Sequence, residues 1–158
     1  MTSNFTHLDE SGTAKMVDVS EKTVSVRSAT ATGKVRVSQA VIDIVNKKEL
    51  PKGDLFATVR LAGIMAAKKT SELIPLCHPL ALSSIELDIK ILESYFFITA
   101  TVKTADRTGV EMEALTAVSV AALTVIDMVK AIDKSAEISE IQLLEKTGGK
   151  SGDWARTS

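Results

Sequence analysis

Ser84-Ile85-Glu86-Leu87-Asp88-Ile89-Lys90-Ile91 alternates polar and apolar residues without a fault. After a turn at Glu93-Ser94, a second run places Phe96, Ile98, Ala100 and Val102 at every other position. Successive side chains of a strand point to opposite faces, so Ile85, Leu87, Ile89 and Ile91 share one face while Glu86, Asp88 and Lys90 share the other. The two runs read as an antiparallel hairpin with one apolar face, which must be covered by another layer.

The flanking sequence supplies that layer. Upstream, Thr23 to Val37 is rich in β-branched residues and reads as a strand, bent into a pair around Gly33. Ser38 suits the N-cap of a helix through Lys48, with Val41, Ile44 and Val45 on one side. Pro51 and Gly53 break the chain. Asp54 then caps a second helix in which Leu55, Val59, Ala62 and Ala66 recur at helical spacing. It ends near Lys68, Lys69 and Thr70, where cations suit the negative end of the helix dipole. Pro75 and Pro79 predict a rigid, extended loop over Glu72 to Leu80. Downstream, Gly109 opens a long helix to about Ile132, with Glu111 and Glu113 in its first turn, and Ile138 to Leu144 reads as a last strand.

The order is strand, two helices, two strands, long helix, strand. It predicts an α+β fold, ferredoxin-like, with an antiparallel sheet and helices packed on one face. We expect one domain over 1–158, with a mobile arm over 1–20 and a flexible glycine-rich tail over 147–158. The long helix is apolar on more sides than one sheet can cover, which points to deep burial or a subunit interface.

Composition narrows the function. Charged residues make up 25% of the 158 and apolar residues 45%, and the formal net charge is -1. Such a chain carries no overall basic field for nucleic acid or anionic lipid, so an anion site must be a local cluster of cations. Aromatic residues are few, which disfavours a stacking surface for single-stranded RNA. Cys77 is the single cysteine, which excludes an internal disulfide, fits the reducing cytoplasm and gives no zinc pattern. The apolar run Ala114 to Val129 falls short of a membrane span and includes Asp127. No interaction with nucleic acid or membrane is expected.

Several residues suit chemistry as well as structure. Lys52, held between Pro51 and Gly53, reads as a solvated turn lysine or as a proton-transfer group. Lys68 and Lys69 read as a helix-end pair or as point charges for phosphates. His78, beside Cys77 in the proline-fixed loop, would be held in one place. Glu111 and Glu113 lie two apart on a helix start and so face different directions. Asp127 and Lys130 are three apart on an apolar helix, a spacing that suits an ion pair or an acid/base couple. Gly148-Gly149-Lys150-Ser151-Gly152 is not a phosphate-binding P-loop, because Leu144 stands where that motif needs its first glycine.

The run Lys68-Lys69-Thr70-Ser71-Glu72-Leu73-Ile74-Pro75-Leu76-Cys77-His78-Pro79-Leu80 resembles the family of molybdenum cofactor biosynthesis protein C. The likeness extends to Gly109-Val110-Glu111-Met112-Glu113-Ala114-Leu115-Thr116-Ala117, Met16-Val17-Asp18-Val19-Ser20, Lys52-Gly53-Asp54 and Gly148 to Gly152, in family order. The resemblance implies a ferredoxin-like enzyme that converts 3′,8-cyclo-7,8-dihydro-GTP into cyclic pyranopterin monophosphate and pyrophosphate. It further implies a homohexamer, a trimer of dimers, with the active site at the dimer interface. Carried over by position, it makes Lys52, Asp127 and Lys130 catalytic. It makes Arg27, Lys68, Lys69, Cys77, His78, Glu111, Met112, Glu113 and Lys146 substrate-binding. It implies no required cofactor, with Mg²⁺ compatible with the triphosphate. Two departures stand out. Ile126-Asp127-Met128-Val129-Lys130 replaces the family's Tyr-Asp-Met-Cys-Lys, and Ser71 stands where an aromatic is common. The alternative is a non-catalytic homologue that binds purine triphosphates and regulates.

Overall fold

The computed structural model describes residues 8, 9 and 11–157. Along the chain it places β1 (Ser25–Arg36), α1 (Gln39–Asn46), α2 (Leu55–Ala67), the short α3 (Thr70–Leu73), β2 (Leu82–Leu92), β3 (Tyr95–Asp106), α4 (Glu111–Val129), β4 (Glu137–Thr147) and β5 (Trp154–Ala155). The five strands form one sheet in the order β2-β3-β1-β4-β5, and every neighbouring pair is antiparallel. The first four strands, in the order 2-3-1-4, with helices between β1 and β2 and between β3 and β4, give the expected α+β, ferredoxin-like arrangement.

The alternation sorts the hairpin faces as expected. Phe96, Ile98, Ala100 and Val102 of β3 are fully buried, and Leu87 and Ile89 of β2 lie against the same core. The turn passes through Glu93 with a positive φ of 52°. The helical layer covers this face: α4 lies over β1, β3 and β4, and α2 lies over β2 and against α4. By length and composition alone α4 would pass for a membrane span, yet more than half of its residues are buried in this core.

Glycines set how closely the layers approach. The strand expected to bend at Gly33 runs unbroken through it, and its irregularity lies in shifted pairing with β4 on either side of Ala31 and Thr32. Gly33 is there for space: a Cβ would sit 2.7 Å from Val118 Cγ1 of α4. Gly63 of α2 does the same at the helix crossing, where a Cβ would meet Leu87 Cδ1 at 2.2 Å and the Ala117 carbonyl oxygen at 3.1 Å.

Two local expectations change. Ser38 precedes α1, but its hydroxyl caps nothing; its backbone N–H donates to Asp133 Oδ2 at 2.7 Å instead. The loop expected to be extended from Glu72 begins as a helical turn, and Glu72 and Leu73 belong to α3. The chain becomes extended only at Ile74, φ -111° and ψ 108°, because Pro75 disfavours the helical region for the residue before it. Asp54 caps α2 as read, with Oδ1 accepting from the Ala57 N–H at 3.1 Å. The glycine-rich segment folds into a turn, after which β5 pairs with the end of β4 at Lys146 and Glu145.

The helices leave an apolar face outward. Leu61 and Met65 of α2 are 61% and 59% exposed, and Leu123 of α4 is 59% exposed, with Leu73 and Met112 also at the surface. Scattered exposed apolar residues are ordinary, but Leu61 and Met65, four apart, share one side of α2, which packs against the α4 that carries Leu123.

Candidate active site

At the C-terminal end of α4 stands the first constellation. Gly53 adopts φ +89°, a conformation that glycine supplies freely, and the turn it makes projects Lys52 toward α4. Lys52 Nζ donates to the Asp127 backbone carbonyl at 2.8 Å and to its Oδ2 at 2.7 Å. Lys130 Nζ, one helical turn on, reaches Asp127 Oδ1 at 2.7 Å. The hydrogen bond from Lys130, followed by that from Lys52, holds the Asp127 carboxyl down to about 2, so it is ionised at neutral pH. One carboxylate thereby fixes two ammonium groups from segments 75 residues apart, all three side chains open to solvent. This arrangement can donate and accept protons at a shared point.

At the other end of α4 lie two adjoining cavities. A groove of about 580 Å³ runs between the Leu76–His78 segment, residues 17–19 and the start of α4, and it takes in Glu111, Met112 and Glu113. Glu113 is buried, 4% exposed, and burial followed by the charge of Glu111 pushes its carboxyl up to about 6. The Cys77 thiol is raised by burial and then by the Glu113 charge. His78 Nε2 lies 2.7 Å from the Val17 carbonyl oxygen, which can only accept, so this nitrogen carries the proton. The second cavity, about 380 Å³, collects Lys22, Arg27, Arg107, Lys146 and Lys150 against the single carboxylate of Glu111. Its rim depends on glycine. Gly148 and Gly149 have φ near +80°, and a Cβ on Gly149 would lie 2.1 Å from Arg27 Nη1. Arg27 Nε is anchored on the Asp106 carbonyl at 3.0 Å, and Lys146 Nζ bonds Ser151 Oγ.

The structure therefore divides the expected residues. Lys52, Asp127 and Lys130 meet. Arg27, Lys146 and Glu111 meet in the cationic cavity, and Cys77, His78, Glu111, Met112 and Glu113 meet in the groove. The two glutamates, read from spacing as pointing apart, border one groove. Lys68 and Lys69 are exposed at the junction of α2 and α3 and line neither cavity. Sixteen residues of helix separate Glu111 from Asp127, about 24 Å at 1.5 Å per residue. Within one chain the two halves lie at opposite ends of α4. Lys22 and Arg107 went unassigned in the sequence, since nothing in their spacing marks them. Among the described residues, no group of three His, Cys, Asp or Glu side chains is placed to hold a metal ion.

Known proteins resemble this chain over nearly its whole length. The MoaC family model matches residues 16–149, which include every element but β5. A cyclic pyranopterin monophosphate synthase of Streptomyces avermitilis is 61% identical over 97% of this chain and 90% of its own length. One from Nocardioides sp. is 60% identical over 96% of this chain and 95% of its own length. One from Thermomicrobium roseum is 54% identical over 96% of this chain and 93% of its own length. With a family model spanning most of the fold and relatives this similar over nearly the whole chain, the protein belongs to the MoaC family.

Proposed function

We propose that this chain is a cyclic pyranopterin monophosphate synthase of molybdenum cofactor biosynthesis, a lyase that converts 3′,8-cyclo-7,8-dihydro-GTP to cyclic pyranopterin monophosphate and pyrophosphate. The observation that carries the reading is the Lys52–Asp127–Lys130 clasp, which supplies paired proton-transfer groups in a chain 54–61% identical to proteins of that name. The reaction opens one ring and closes another, steps that need proton donors and acceptors in hydrogen-bond reach. It also closes a cyclic phosphate: a ribose hydroxyl oxygen bonds to the α-phosphorus, the bond to the β-phosphate oxygen breaks, and pyrophosphate leaves. Lys52 and Lys130 are the acid/base pair, Asp127 orients both, and Arg27, Lys146 and His78 serve the phosphates. Glu111, Met112, Glu113 and Cys77 bound the groove that receives the ring system. Mg²⁺ is a natural companion of the triphosphate, and no other cofactor is required.

The separation along α4 supports a shared site. Proton transfer works over about 3 Å, or through one water, and not over about 24 Å. A second copy packed on the exposed Leu61, Met65 and Leu123 face, running the opposite way, brings its Lys52, Asp127 and Lys130 to the groove of the first. Three such dimers make the hexamer, which works in the cytoplasm. The test is turnover of 3′,8-cyclo-7,8-dihydro-GTP followed by mass spectrometry, with Lys52→Ala as comparison. Product from wild type and at least about a hundredfold less from the variant is expected. A folded Lys52→Ala protein with full turnover removes Lys52 from catalysis. A folded wild type without product favours the regulatory, nucleotide-binding homologue.

A further inference from the structure

Asp133 stands three residues beyond Lys130, in the turn that leaves α4, and it is 7% exposed. Both of its carboxyl oxygens are engaged. Oδ2 accepts from the Ser38 N–H at 2.7 Å, and Oδ1 accepts from the Ser135 N–H at 2.9 Å and the Ser135 hydroxyl at 2.6 Å. The Ser135 hydroxyl first, and then the Ser38 N–H, hold the carboxyl below its ordinary 3.8, so it is ionised at neutral pH. Among the described residues it has no ion-pair partner. It also lies just past the end of α4, where a cation is favoured over an anion. What this carboxylate does in its place is fix backbone.

It joins the two segments that carry the clasp lysines. On one side, the Asp133 N–H donates to the Val129 carbonyl at 3.0 Å and the Lys130 N–H to the Ile126 carbonyl at 2.9 Å, so Lys130 to Asp133 is held against the last turn of α4. On the other side, Ser38 leads into α1, whose Val41, Ile42 and Val45 are buried. From α1 to Lys52 the chain stays tied. The Glu49 N–H donates to the Ile44 carbonyl at 3.0 Å and the Gly53 N–H to the Leu50 carbonyl at 3.0 Å, with Leu50 buried. Lys52 and Lys130 thus reach Asp127 along two branches that start from one buried carboxylate.

We propose that Asp133 is a positioning residue that sets the spacing of Lys52 and Lys130 about Asp127. The role deepens the synthase reading and rests on it for the reaction that the lysines serve. Both oxygens are needed. An asparagine offers one acceptor oxygen and one NH2 group, so either the Ser38 N–H or the Ser135 N–H loses its acceptor and that branch shifts. A displacement of about 1 Å can cost a catalytic group about a hundredfold in rate. Arg27 and Lys146, which serve the phosphates, line the cavity at the other end of α4 and keep their places.

The experiment compares the full-length wild type with Asp133→Asn, with Ser135→Ala, which removes the hydroxyl bond alone, and with Ile98→Val, a core truncation in β3 outside both branches. Turnover gives kcat and KM, and calorimetry gives the affinity for inorganic pyrophosphate. Mass spectrometry gives the rate at which acetic anhydride acetylates Lys52 and Lys130, with Lys90, paired to Asp88 on β2, as comparison. Asp133→Asn is expected to lower kcat about tenfold or more, with KM and pyrophosphate affinity within about twofold of wild type. It speeds acetylation of Lys52 or Lys130 about two- to fivefold, the range that loosening an exposed ion pair allows, and leaves Lys90 unchanged. Ser135→Ala moves kcat and acetylation the same way and less far. Ile98→Val lowers stability but not kcat. Wild-type kcat and acetylation in folded Asp133→Asn overturn the proposal, as does an equal loss of kcat in Ile98→Val, or a KM that rises as much as kcat falls. Where Asp133→Asn does not fold, an unchanged Ser135→Ala protein overturns it. Faster acetylation in Asp133→Asn when wild type itself makes no product upholds the part of Asp133 in the clasp and sinks the synthase reading instead.

Discussion

Glu113→Gln removes a charge that the fold holds out of water. In the native protein the Glu113 carboxyl is raised from an ordinary value of 4.5 to about 6, chiefly by burial. The native state therefore binds more protons than the unfolded chain between those values, and stability falls as pH rises through that window. A rise of this size corresponds to about 2 kcal/mol, present as a destabilisation above about pH 7 and absent below about pH 4. Glutamine has nearly the same shape and no charge. At pH 8 the variant should be more stable than wild type by about 2 kcal/mol, a gain of roughly 4–8 °C in Tm for a chain of this size. At pH 4 the two should coincide. The assay is urea unfolding followed by circular dichroism at both pH values, with turnover measured in parallel. Stabilisation at pH 8 with loss of turnover means that the groove keeps an unfavourable carboxylate for its chemistry. A variant no more stable than wild type at pH 8, or equally stabilised at both pH values, refutes the reasoning from burial.

Other perturbations probe the packing and the site division. Gly63→Ala places a methyl against Leu87 and the Ala117 carbonyl and should destabilise by about 1–3 kcal/mol in urea unfolding. Gly149→Ala must adopt φ +80° and displace the Arg27 guanidinium, so its pyrophosphate affinity should fall further than its Tm. Co-expressed Lys52→Ala and Glu113→Ala chains, each inactive alone, should recover about a quarter of wild-type turnover, because each mixed dimer carries one intact shared site. Activity that stays at the single-variant level would place both residues in sites built by one chain.

Where the sequence was legible, one period governed. The alternation from Ile85 to Val102 depends on a single sheet with one covered face, and its buried residues are those the pattern selects. The Asp127–Lys130 pair was legible because helix geometry fixes neighbours three apart. Lys52 could be joined to them only by resemblance, since the contact spans 75 residues and depends on how α2's leading turn meets the end of α4. The bond from Arg107 Nε to the Lys22 carbonyl was invisible for a related reason: its acceptor is a backbone carbonyl 85 residues away, and any residue offers that acceptor. Ser38 shows the converse, a good capping residue whose hydroxyl caps no helix N–H while its own N–H donates to Asp133.

Because α4 carries groove residues at one end and Asp127 at the other, the helix works as a ruler with an angular scale. One codon inserted between Ala114 and Val125 would turn Asp127 by about 100° about the helix axis and advance it by about 1.5 Å. No side-chain substitution at the same positions does that. The gene segment for this helix should therefore accept many replacements of similar size while rejecting changes of reading length, even where the encoded residues face solvent.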